Sequence, residues 1–395
     1  MAKGNRHHLL VLALGIILGA NICYGQTAND VVSPLVATPI TTPNPVLGAD
    51  DKTHLAYEIM LMNMGSATVG LDKIDTLDAI SGAVLGTLQG EALAQMLRLN
   101  GGAKGTELSA GGSGVLFMDV RLDRDATIPK KLKHRFKITM AKTSGGERDS
   151  ALAIPPEITF VGNSLDVGAP AGVVSPPLKG GRWAVAGGCC APYSYHRAAT
   201  LPINGTIYVP ERYAIDFVQL NDKNMIYSGP RDQLSSYAYF GNEIHSVANG
   251  IVVQIADGLP EQVPGKLPES TTIQMLAGNY VVVDIGEGRY AFYAHMQPGS
   301  LRVRVGDRVV TGQVLGLLGN SGNTDAPHLH FHVMDAPSPL LSNGLPYVFT
   351  GFEGQGVLRD DKPLSTGGAV NVDTSALAGT HKNQLPLNNQ VVRFP

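Results

Sequence analysis

Along most of the chain, short runs in which apolar and polar residues alternate are separated by glycine, proline and asparagine. A period of two marks half-buried strands. It recurs over residues 55–61, 68–77, 82–88, 115–122 and 132–139, with one short helical stretch at 90–98. Several short strands with turn signals between them predict an immunoglobulin-like β-sandwich over residues 49–166. A second set, 207–209, 213–220, 244–255, 280–285, 289–295 and the glycine-cornered segments of 301–319, predicts an antiparallel β domain over residues 196–350. The expected fold class is therefore all-β. Residues 26–48 carry Pro34, Pro39, Pro43 and Pro45 and read as an extended linker. Residues 167–195, with Pro170, Pro176, Pro177, a run of glycines and Trp183, read as the inter-domain linker. Residues 351–395 read as a partly ordered polar tail.

One alternating run is unlike the others. Residues 320–327 are rich in turn formers, and His328-Leu-His330-Phe-His332-Val follows. On a strand, positions i, i+2 and i+4 share a face, so three imidazoles lie side by side. One buried neutral histidine is ordinary core, but several together call for a metal or a shared acid/base task. Asp216 sits inside an apolar strand, where an unpaired carboxylate is costly to bury. A metal, or a salt bridge to Arg212, would relieve that cost. His196 in Tyr195-His-Arg197 and His295 in Tyr293-Ala-His295 are further candidates. Catalytic zinc takes three protein ligands and keeps one position for water.

Composition narrows the setting. The 395 residues suit two domains with tails, and 44% apolar content supports proper cores. The 47 glycines and 25 prolines favour turn-rich β structure, and a net charge of −3 argues against nucleic acid as a partner. Lys3, Arg6, His7 and His8, then an apolar run at 9–19 and small residues near Cys23-Tyr24-Gly25, predict a secretory signal peptide over residues 1–25. A secreted protein, periplasmic or extracellular, is expected. Cleavage removes Lys3 and Arg6 and leaves a charge of 28 − 33 = −5. Ile22 before Cys23 disfavours a lipid anchor, and no later run is long and apolar enough to span a bilayer, so no stable membrane anchor is expected after cleavage. Cys189 and Cys190 are adjacent, which excludes a long-range disulfide within the mature chain; idle buried thiols are expected.

Residues 196–335 resemble the lysostaphin-type (LytM-like) zinc metallopeptidases, peptidoglycan endopeptidases built on an antiparallel β domain. The resemblance rests on Ala214-Ile-Asp216-Phe, Gly278-Asn-Tyr-Val-Val-Val-Asp284, Tyr293-Ala-His295, residues 305–316, and Gly319-Asn-Ser-Gly322 leading into Pro327-His-Leu-His-Phe331. It implies Zn²⁺ bound by His196, Asp216 and His330, with His328 and His295 as catalytic imidazoles. It also implies peptide-bond hydrolysis, in peptidoglycan or another peptide substrate, by a zinc-activated water. His332 is expected to support the site as a neighbour. Family members place the first histidine a few positions before the aspartate, whereas His196 precedes Asp216 by 216 − 196 = 20 positions. His245 and His332 are the alternative ligands. Loops 221–239 and 257–272 are expected to border the groove.

Two other readings compete. The 305–319 segment resembles a biotinyl or lipoyl carrier hairpin, but no lysine falls between Lys266 and Lys362 to carry the group. A catalytically inactive module that binds cell wall or activates other hydrolases would typically have lost ligands, whereas Asp216, His295, His328 and His330 are all present.

Overall fold

Residues 30–141, 155–190 and 194–395 are described by a computed structural model; the expected signal peptide, residues 1–25, lies outside them. The chain is all-β. Helix among the described residues is confined to Gly90–Met96, Lys362–Thr366 and short 3₁₀ turns. No helix there is long and apolar enough to cross a membrane.

The N-terminal half forms two sheets facing each other. One orders Leu35–Pro39, Lys52–Asn63, Ser113–Asp123 and Leu97–Leu99, with Asn44–Leu47 also paired to Lys52–Asn63. The other orders Glu157–Val161, Lys131–Met140, Val69–Asp78 and Val84–Gln89. Leu55, Tyr57, Ile59 and Leu61 from the first sheet meet Leu71, Ile74, Phe136 and Ile138 from the second in a common core. The intervening positions His54, Ala56 and Glu58 are buried as well. Ala56 packs into the core of the C-terminal half, together with Tyr213, Phe331 and Phe349. Lys52–Asn63 is thus buried on both faces, which explains why its sequence is nearly continuous in apolar residues. From Ser33 to Pro395 the two halves make one unit.

The C-terminal half is built on one long antiparallel sheet. Its central order is Asn279–Gly286, Arg289–Met296, Leu329–Met334, Ile215–Gln219, Gly180–Ala186, Gln390–Phe394 and Phe352–Leu358. Four expectations are corrected by the structure. Residues 26–48 are not a free linker, because Leu35–Pro39 and Asn44–Leu47 pair with Lys52–Asn63. Pro39 ends the edge strand Leu35–Pro39, where a missing N–H costs little. Within residues 167–195, Gly180–Ala186 is an inner strand between Ile215–Gln219 and Gln390–Phe394, with Trp183 fully buried. The tail at 351–395 supplies four strands of the same sheet, Phe352–Leu358, Val372–Asp373, Gly379–His381 and Gln390–Phe394. In both stretches glycines and polar residues masked strands whose pairing partners lie far away in sequence. Cys189 and Cys190 are joined in a disulfide, not left as idle thiols.

Candidate active site

Asp216 and His330 are direct partners across the ladder between Ile215–Gln219 and Leu329–Met334, so the pleat sends both side chains to one face. His330 Nδ1 donates to Asp216 Oδ1 at 2.9 Å. His196 reaches the same place from a turn, with Nε2 3.3 Å from Asp216 Oδ2. One ligand atom from each of His196, Asp216 and His330 lies within 4.8 Å of the other two. The His196 Nδ1 proton faces the Gly187 and Ala214 carbonyls, each at 3.1 Å, which turns Nε2 toward Asp216. The ring has room because residue 187 is glycine: its φ is +67° and a Cβ there would lie 2.6 Å from His196 Nδ1. Arg212 does not pair with Asp216; its guanidinium turns to Glu58. Two imidazoles and a carboxylate, with Nδ1–H bound to backbone carbonyls behind one of them, form a donor set that suits zinc.

His295 and His328 stand beside this group. His295 closes its strand at φ 61°, an uncommon backbone for a residue with a side chain. Its Nδ1 donates to the Ser321 carbonyl at 2.7 Å, and His328 Nδ1 donates to the Ala326 carbonyl at 2.8 Å. Both rings therefore present Nε2 to the site. Their centroids are 4.5 Å apart, and His328 Nε2 is 3.5 Å from Asp216 Oδ1. A tight turn carries this arrangement: Gly278, at φ +62°, lies against the Ser321 backbone, where a Cβ would come within 2.1 Å of the Ser321 oxygen.

Burial and mutual charge tune the cluster. Burial works to raise the Asp216 carboxyl, but His196 and His328 overcome it and hold it well below the usual carboxylate range. Burial works to lower His196, and Asp216 reverses this and raises it to about 9. His328 is likewise raised by Asp216 against its burial. His295 is held well below the usual histidine range by burial, with His328 and His330 adding to the effect. Burial and Asp216 thus push two adjacent imidazoles in opposite directions.

His332 is fully buried behind His330, and the two share a hydrogen bond between His332 Nδ1 and His330 Nε2 at 2.9 Å. Its own Nε2 has no partner. His245 stands apart from the cluster, donating from Nδ1 to the Gly312 carbonyl. Tyr195 was not singled out from the sequence; its exposed ring lies against His196 and its hydroxyl donates to Asp216 Oδ2 at 2.7 Å. Only its place next to His196 could have drawn attention to it. A second group, His54, Asp119 and Cys190, also has ligand-type atoms within 4.8 Å. There the Cys190 sulfur is engaged with Cys189, and His54 is held between the Asp50 and Asp119 carboxylates.

Residues 235–341 match the family described as Peptidase family M23. The chain carries an M23 peptidase domain. The matched stretch includes His295, His328 and His330 and begins after His196 and Asp216. The M23-bearing chain is 31% identical over 94 residues to Endolysin 2638A of Staphylococcus phage 2638A, covering 24% of this chain and 19% of that protein. It is 38% identical over 64 residues to Peptidoglycan DD-endopeptidase ShyA of Vibrio cholerae, covering 16% of this chain and 14% of that protein. It thus spans less than a fifth of the length of these relatives. Among solved structures, the catalytic domain of the antimicrobial peptidase lysostaphin from Staphylococcus simulans aligns at 24% identity and a TM-score of 0.22, covering 36% of this chain and 80% of that one.

Proposed function

We propose that this M23 protein is a zinc metalloendopeptidase that is exported and hydrolyses peptide bonds in peptidoglycan. The observation that carries the reading is the convergence of His196, Asp216 and His330, drawn from three separate elements, beside two imidazoles that both present Nε2. Relatives described as a peptidoglycan DD-endopeptidase and a glycyl-glycine endopeptidase support the substrate class. His196, Asp216 and His330 would hold the metal. A zinc ion bound there supplies a Lewis acid and lowers the pKa of a coordinated water toward neutrality.

The chain's own residues do the rest. One of His328 and His295, bare at Nε2, accepts the proton of the attacking water, and the other, protonated on both nitrogens, hands a proton to the leaving amine. The Ala326 and Ser321 carbonyls anchor both rings at Nδ1 and aim Nε2 of each into the site. Tyr195, at the open side of Asp216, is a hydroxyl donor within the site. His332 orients His330 from behind.

The test combines metal analysis with mass spectrometry of products released from purified peptidoglycan. The purified chain should hold about one zinc per molecule, in keeping with a single three-ligand site, and release peptides with new amino and carboxyl ends. His328→Ala should keep the metal and lose hydrolysis. A chain that takes up no zinc, or a His328→Ala variant that digests at the native rate, refutes the assignment.

A further inference from the structure

The interval of 20 residues between His196 and Asp216 leaves the two without a short local tie. Most of it is a loop carrying the small hairpin Leu201–Ile203 with Thr206–Tyr208. The N-terminal sandwich contributes buried contacts at both ends of this loop. Arg197, the residue after His196, and Arg212, four before Asp216, are both buried and both reach Glu58 on the strand Lys52–Asn63. Arg197 Nε lies 3.3 Å from Glu58 Oε1 and Arg212 Nη1 lies 3.6 Å from Glu58 Oε2. The carboxylate therefore uses one oxygen for each arginine.

The remaining arginine N–H groups divide between sandwich atoms and carbonyls of the C-terminal half. Arg197 donates to the carbonyls of Tyr57 and Met118, and to that of Cys190. Arg212 donates to Thr41 Oγ1 at 2.7 Å and to the carbonyls of Thr42 and Ala56, as well as to that of Gly344. Thr41 in turn donates to Glu58 Oε2 at 2.7 Å. One residue beyond Arg197, the Ala198 carbonyl accepts from Arg98 of the sandwich at 2.8 Å.

We propose that Glu58 is a positioning residue of the active site, and that the sandwich serves as the scaffold that brings His196 to Asp216. The inference rests on reading His196 and Asp216 as metal ligands. A buried ion triad is a poor source of stability, since apolar residues of similar volume often serve as well. What it does supply is a fixed geometry, because Glu58 faces each arginine with a different oxygen while backbone carbonyls and Thr41 hold the other N–H groups of both. Here the elements so fixed are the two that flank the loop between the candidate ligands. The sandwich is then part of the metal centre's construction, not a separate targeting module.

The experiment uses the full chain and reads zinc affinity by competition with a chromophoric chelator, at a temperature where every variant is folded. Glu58→Gln should raise the zinc Kd tenfold or more and lower kcat on a peptidoglycan fragment, with KM within twofold of native. Thr41→Val, which keeps all three charges and loosens the clamp, should raise the zinc Kd severalfold and serves if Glu58→Gln does not fold. Leu71→Ala, which opens the sandwich core away from the clamp, should lower the melting temperature and leave the zinc Kd within twofold. Native zinc affinity in the clamp variants, or an equal loss in Leu71→Ala, overturns the positioning role. Failure of the native chain to bind zinc would instead remove the ligand assignment beneath it.

Discussion

Replacing His332 with leucine separates two effects that usually travel together. His332 makes one hydrogen bond, to His330 Nε2, and leaves its own Nε2 buried without a partner. The lost bond is worth roughly 0.5–1.5 kcal/mol net, whereas an orphaned buried polar atom costs about 1–3 kcal/mol. Leucine has neither, and it would rest against the Phe292 ring that His332 now touches. Because His330 Nε2 loses its partner at the same time, one buried orphan replaces another, and the melting temperature of the metal-free variant should stay within roughly 2–4 °C of native. Metal binding should weaken. For His330 Nδ1 to serve as a ligand atom, its proton must sit on Nε2 and be accepted by His332 Nδ1. Losing such a supporting partner typically costs about 10–100-fold in metal affinity, or roughly 1.4–2.7 kcal/mol. Thermal melts in chelator, paired with zinc competition, read both quantities on one sample. A leucine variant with native zinc affinity would show that His332 does not orient His330. One that melts several degrees below native in chelator would refute the accounting of the orphaned nitrogen.

Further outcomes follow from residues around the site and in the sandwich. Burial lowers the His54 pKa, but the Asp119 and Asp50 carboxylates outweigh it and raise the pKa from 6.5 to about 9. A group raised on folding stabilises most below its unfolded pKa, so about 3 kcal/mol should be present below pH 6.5 and lost between pH 6.5 and 9. Because His196 is raised in the same window, the measurement is the difference in denaturant midpoint between the native chain and His54→Gln across that range. A difference independent of pH would refute it. Gly278→Ala should destabilise by roughly 2–4 kcal/mol, since it adds a disfavoured positive φ to a clash with the Ser321 oxygen. Activity should fall with it, because the same oxygen holds His295; a variant with native melting temperature and rate would contradict this.

Much of the site could be read from local pattern. The alternation at 328–333 placed His328, His330 and His332 on a strand, and the ladder sets Asp216 opposite His330. The isolated carboxylate at Asp216 was informative because an apolar strand gave it no partner. The partner imidazole His196 was harder, because its approach depends on Gly187 and on arginines tied to Glu58, none of which a linear spacing reveals. Pattern also failed where strands are rich in glycine and proline. Asn44–Leu47 and Gly180–Ala186 were passed over because composition pointed to linkers, although long-range pairing makes them strands. Glu58 carried a signal that went unused: a lone acid within an otherwise apolar run, like Asp216, announces a buried partner.

The inner strand Gly180–Ala186 also bears on the order in which the molecule is assembled. Its neighbour on one side, Gln390–Phe394, is more than 200 positions downstream, and the turn that follows it is held by the same region. Asn389 donates to the Val185 carbonyl, Asn388 to that of Cys189, and the Gly188 N–H to the Asn388 side chain. Gly187, whose carbonyl faces His196, lies within this grip. Contacts of such sequence separation form late in folding, because the loop they close must be ordered first. The wall of the site behind His196 is therefore finished only once residues 388–394 are in place, so the geometry proposed for the metal site depends on a segment far downstream of the residues that would hold the ion.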